Sequence, residues 1–159
     1  MLKVINAGFY STIQDTGRIG NRAYGVPVSG VMDRYSSQFA NAILGNLDDA
    51  SVLEITMTGP RLLFLKPTQI AISGANLEPK LNDKPISMNL NISINTNDIL
   101  SFGRLQCGFR AYLAIKNGFL TESILGSRSM CRPITHASKI RDKDILEYTS
   151  VQNLSLIHI

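Results

Sequence analysis

After Ser51 the sequence is cut into short apolar runs, and this punctuation constrains the fold more than any other feature. Val52, Leu53, Ile55 and Met57 form a run closed by Gly59-Pro60, a pair that ends regular structure. Residues 62–65 and 69–73 follow, split by Pro67. Asn82-Asp83 separates 79–81 from 85–88, the spacing of a hairpin with a tight turn. Residues 92–94, 99–102 and 109–115 continue the series, and 2–5 supply a first strand before Asn6-Ala7-Gly8. Short strands separated by turn signals predict a mainly β barrel or sandwich. Residues 97–102 and 143–148 share a polar-Asp-Ile-Leu-polar-aromatic pattern, which reads as one type of Asp-led turn used twice.

The exception to this β character lies at 12–46. Tyr35, Phe39 and Ala42/Ile43 recur at helical spacing and predict one amphipathic helix over 32–44. Asp33 is placed to cap its start and Gly45 to close its end. Ahead of it stand Gly17, Gly20, Gly25, Gly30 and Pro27, more punctuation than a connecting turn needs. Long loops held on a rigid scaffold are where function concentrates.

Length and charge narrow the function classes. A chain of 159 residues is read as one domain, or one and the beginning of another. The formal net charge is +4, but Lys and Arg are scattered without interleaved aromatics, which argues against nucleic acid and suits a small anionic substrate. Cys107 and Cys131 lack a CxxC partner and read as reduced thiols. The N-terminus does not read as a signal peptide, and no apolar stretch reaches the ~20 residues that a bilayer requires, so a soluble, cytoplasmic chain without membrane contact is expected. His136 and His158 are too few for a zinc centre, and no metal is expected. Neither a GxSxG elbow nor a strand-following GxGxxG is present.

Within the glycine-rich loop, Asp15 and Arg18 flank Gly17, close enough to pair or to face a substrate together. Arginine offers a planar fork to a carboxylate, and the carboxylate of Asp15 offers proton transfer; these two are the catalytic candidates. Backbone N–H groups freed by Gly17, Gly20, Gly25 and Gly30 can line an anion-binding concavity, with Gln14 and Ser29 adding neutral hydrogen bonds. Asp33 is explained first as a helix cap and second as a substrate contact. In an alternating strand Glu54 points opposite to Leu53 and Ile55, hence to a site-facing side or to solvent. Asn41, on the helix between Phe39 and Ile43, reads as a buried tether or a ligand contact.

Several ordered blocks carry a family resemblance. Gln14-Asp15-x-Gly17-Arg18-x-Gly20 is followed by Gly25-Val26-Pro27-x-Ser29-Gly30-x-Met32-Asp33 and Ala40-Asn41. Leu53-Glu54, Thr58-Gly59-Pro60, Ile72-Ser73-Gly74-Ala75, Gly108-Phe109-Arg110-x-Tyr112-Leu113 and Gly126-Ser127-Arg128-Ser129 come next. Together they resemble the biotin-dependent carboxyltransferase-like family, which includes allophanate hydrolase subunit 2, the carboxyltransferase part of urea carboxylase and the C-type subunit of 5-oxoprolinase. The resemblance implies a cyclophilin-like closed β-barrel with one early helix. It also implies that residues 1–150 form the N-terminal half of the domain and 151–159 the start of a truncated second half. It puts Arg128 among the anion-binding candidates, although the surrounding spacing is not that of a P-loop. The activity it favours is that of a C-type component of ATP-dependent 5-oxoprolinase, working with subunits A and B, with ATP used by the complex. The alternative is a carboxyltransferase component of a urea or amide carboxylase; Met-Lys-Met is absent, so biotin would then come from elsewhere. A third class is a regulatory binder of the B-type protein, antagonising a kinase inhibitor.

Overall fold

The computed structural model describes residues 1–151, so the strand expected within 151–159 falls almost wholly outside them. Two antiparallel sheets stack face to face. The first runs β11-β1-β4-β9-β6-β7, with β1 at Leu2–Asn6, β4 at Arg61–Phe64, β6 at Lys80–Leu81, β7 at Lys84–Pro85, β9 at Ile99–Ser101 and β11 at Ile145–Leu146. The second runs β2-β3-β10-β5-β8, with β2 at Tyr10–Gln14, β3 at Val52–Thr56, β5 at Thr68–Asn76, β8 at Ile92–Ile94 and β10 at Cys107–Ile115. Between them lies the main core, in which Leu2, Leu62, Phe64, Ile55, Ile72 and Leu113 are buried.

The sheets do not close into a barrel, so the closed barrel is corrected to a two-sheet stack. The reason lies at the edges. Strands β7 and β11 are two residues long, and Pro85 has no N–H to give. Single bonds from irregular chain, Met130 N–H to Ile13 O (2.9 Å) and Ile140 N–H to Ser11 O (2.9 Å), cover β2 where a barrel would need another strand. Residues 12–14, expected to belong to the glycine-rich loop, are the end of this strand β2. The Asn82-Asp83 hairpin is present, both residues having positive φ and Leu81 pairing with Lys84.

The recurring Asp motif forms two equivalent turns. Asp98 Oδ2 accepts from Asn95 N–H and Asp144 Oδ2 from Arg141 N–H, each at 2.8 Å. β9 then pairs with β4 and β11 with β1, placing Leu100 and Leu146 in the core.

Among the described residues a single α-helix, α1 (Arg34–Ile43), lies over the outer face of the second sheet. Asp33 caps it, Oδ1 accepting from Ser36 N–H at 3.1 Å, and Gly45 N–H bonds Ala42 O at 3.0 Å beyond its end. The expected apolar stripe is not its buried face. Tyr35 is 80% exposed and Phe39 42%, their rings stacked 6.4 Å apart, while Ser37, Ala40, Asn41 and Leu44 face inward. Ala71 and Ala114 on the sheet are small enough for Ala40 to pack closely against them, which a large helix residue would prevent. The Ser73 hydroxyl also donates to Ser36 O.

Candidate functional site

The expected site residues separate into two places. The first is a clasp between the glycine-rich loop and residues 124–130. Gln14 takes Gly30 N–H on Oε1 (3.1 Å) and donates to Thr12 Oγ1 (3.1 Å) and Met130 O (3.3 Å). Asp15 Oδ1 accepts from Gly17 N–H (2.9 Å) and the hydroxyls of Ser127 (2.5 Å) and Ser129 (2.9 Å), and Oδ2 accepts from Arg128 N–H (2.8 Å). Gly17 sits at φ 98°, where an added Cβ would lie 2.6 Å from Val28 O, so the loop can close only with glycine there.

Arg18 is buried at 1% exposure and does not pair with Asp15. Its Nε donates to Ile124 O (3.0 Å) and Nη2 to Ser127 O (3.3 Å), while Nη1 has no partner among the described residues. Arg128 turns its Nη1 to Thr121 O. Asp15 and Arg128 also line a polar pocket of about 260 Å³ with Asp49, Ser123 and Asn117. Gly25 closes a 3-10 turn (Arg22–Tyr24), and Ser29 adopts φ 59° at the loop's return. Asn41 lies away from the loop, donating to Ala50 O (3.0 Å) and accepting from Asn46 (3.0 Å), so it tethers the helix end.

The second place is a cleft of about 490 Å³ where the start of α1 meets β5 and β10. Alternation along β3 turns Glu54 to the helix side of the sheet, opposite Leu53 and Ile55, where it is 6% exposed. Its Oε2 accepts from Met32 N–H (2.8 Å) and from the Tyr112 hydroxyl (2.9 Å). Tyr112 in turn accepts from Asp33 N–H (2.9 Å). Burial, then the Glu54 charge, holds the Tyr112 phenol well above its ordinary range, so it remains a proton donor. The second Glu54 oxygen, Oε1, has no hydrogen bond among the described residues and faces Arg110 Nε at 4.0 Å. Arg110 lies over the Phe109 ring, 5.0 Å from its centroid. Asp33 borders the cleft, its carboxyl held below the usual range by the hydroxyl and N–H of Ser36.

Arg110, Tyr112 and Gly74 were missed as site residues. Gly74 adopts φ 87°, where a Cβ would lie 2.6 Å from Arg110 O, so a glycine is what lets β5 and β10 part beneath the cleft. A glycine inside an apolar strand was the available signal.

This cleft sits in a chain whose residues 24–156 match the family described as "Carboxyltransferase domain, subdomain A and B". The chain belongs to that carboxyltransferase-domain family. The urea amidolyase of Lachancea kluyveri is 48% identical over 128 residues, spanning 80% of this chain and 7% of that protein. The C-type subunit of 5-oxoprolinase from Escherichia coli is 35% identical over 129 residues, 81% of this chain and 42% of that relative. Among solved structures, the K. lactis urea amidolyase superposes with a TM-score of 0.86 at 39% identity over 91% of this chain and 9% of its own. This carboxyltransferase domain therefore spans less than half the length of these relatives. No helix among its described residues is long and apolar enough to cross a membrane.

Proposed function

We propose that this carboxyltransferase-domain chain contributes the acceptor side of a carboxyl transfer from biotin to a small amide of the urea type. One observation carries the reading: a buried carboxylate with one oxygen saturated and the other uncommitted, beside an arginine at the edge of a cleft. Transfer to an amide nitrogen requires removal of its proton, and in this reading Glu54 Oε1, behind Tyr112 and Arg110 of the cleft lining, accepts it. Tyr112 and Met32 N–H orient that carboxylate through Oε2. Arg110 offers guanidinium donors to an incoming carboxyl group. Phe109, 47% exposed, and Met32, 69% exposed, give an apolar wall that suits a bicyclic ureido ring. Biotin, when brought to the cleft, supplies the activated carboxyl group. In this reading Asp15 and Arg18 hold the loop, and do not meet the substrate.

The test is urea-dependent ATP turnover by the whole biotin-containing enzyme carrying Arg110→Gln. A fall in kcat/KM of about 30-fold or more is expected; unchanged turnover would remove Arg110 from the site. A second reading, a C-type component of ATP-dependent 5-oxoprolinase working with subunits A and B, is favoured by the larger share of the relative that is matched, 42% against 7%. Co-expression with A- and B-type subunits decides between them. Glutamate formed from 5-oxoproline with no response to urea would select the second.

A further inference from the structure

We propose that Asp33 sets the substrate class of the cleft, selecting a neutral molecule with a free amide NH2 and rejecting one that carries a carboxylate. This inference rests on the carboxyl-transfer reading above. Asp33 and Arg110 are the only charged side chains in the cleft lining, and among the described residues no ion pair joins them. Opposite charges that share a cleft without pairing leave an anionic acceptor and a cationic donor for one bound molecule.

Asp33 is fixed through both its backbone and its side chain. Its N–H donates to the Tyr112 hydroxyl (2.9 Å), and the neighbouring Met32 N–H donates to Glu54 Oε2 (2.8 Å). Ser36 orients the carboxylate, its N–H on Oδ1 (3.1 Å) and its hydroxyl on Oδ2 (2.6 Å). The same two bonds hold the carboxyl below its usual range, so it stays an anion at neutral pH. Each oxygen receives a donor from Ser36 and keeps room for another. Capping α1 asks for an acceptor rather than a charge, since Asn and Ser cap about as well. The cap therefore leaves the negative charge at the cleft without a use.

A urea-type molecule answers both ends of the lining. Its carbonyl accepts from Arg110, whose fork of donors also serves the carboxyl group being moved. One NH2 donates to Asp33, and the other is left for transfer. A carboxylate on the same molecule would be brought beside Asp33, where like charges repel.

ATP turnover by the whole biotin-containing enzyme carrying Asp33→Asn or Asp33→Ser tests this, because both variants keep a cap. The KM for urea is expected to rise about tenfold in each, with kcat within about twofold of the parent. N-carbamoylglycinamide and N-carbamoylglycine, similar in size and differing in one carboxylate, serve as inhibitors. The amide should inhibit the parent more strongly than the acid, and that preference should shrink about fivefold in both variants. Three results would overturn the inference alone: an unchanged KM in variants with the parent's denaturation midpoint, a fall in kcat without a rise in KM, or a parent without the amide preference. A parent enzyme with no urea-dependent turnover would defeat the carboxyl-transfer reading and this inference together.

Discussion

The loop clasp and the cleft are made from the same kinds of side chain and end in opposite states. In the clasp, Asp15 receives two backbone N–H groups and two hydroxyls, leaving neither oxygen without a donor. Behind the cleft lining, Glu54 receives both of its donors on one oxygen, and the other faces an arginine too distant to hydrogen-bond. A fully engaged carboxylate holds a chain in place, whereas a half-engaged one has capacity left for a ligand. Glycine is concentrated in the loop, where Arg18 Nη1 also lacks a partner among the described residues, yet the carboxylate oxygen without a hydrogen bond is the one beside the cleft.

Substitution can break or sharpen this contrast. The largest effect is expected from Asp15→Ala, which strands the buried hydroxyls of Ser127 and Ser129 and two N–H groups. Urea denaturation should register a loss of about 3–4 kcal/mol; a loss under about 1 kcal/mol would show that the clasp is not the structural partner in the comparison. Tyr112→Phe comes next, removing one partner each from Asp33 N–H and Glu54, with an expected loss of about 1–2 kcal/mol by the same measurement.

Asp33→Ala should cost about 1 kcal/mol as a lost helix cap. The folded-state pKa of Asp33 is depressed, so its contribution is present above the unfolded carboxyl value and is lost as pH falls through the folded one. The difference between parent and variant should therefore hold above about pH 5 and close as pH is taken below about 4. A gap that widens in acid would contradict the capping role. Arg110→Gln should have the smallest effect on folding, about 0.5 kcal/mol, because its ion pair is long and its ring contact half-exposed. Denaturation midpoints compared at equal m-value check this, and a cost above about 2 kcal/mol would make Arg110 a structural residue.

What could be read from the sequence was what neighbouring residues decide. The cap at Asp33, the turn at Asn82-Asp83 and the repeated Asp98 and Asp144 turns are short-range hydrogen-bond chemistry, and each was legible. Glu54's orientation followed from alternation alone. The buried face of α1 was not legible, because Ala71 and Ala114, distant in sequence, decide how close the helix comes. The cleft was hidden for the same reason, since its walls come from α1, β5 and β10 and meet only through sheet pairing. Barrel closure was inherited from a family likeness; the short edge strands that prevent it become apparent only once pairing is known.

The proposed chemistry depends most heavily on the unengaged oxygen of Glu54, and Glu54→Gln tests it with little change of shape. Under the proposed reading, steady-state, urea-dependent turnover of the whole biotin-containing enzyme should fall in kcat by about 100-fold or more. A variant that folds as the parent does and keeps its kcat would contradict it.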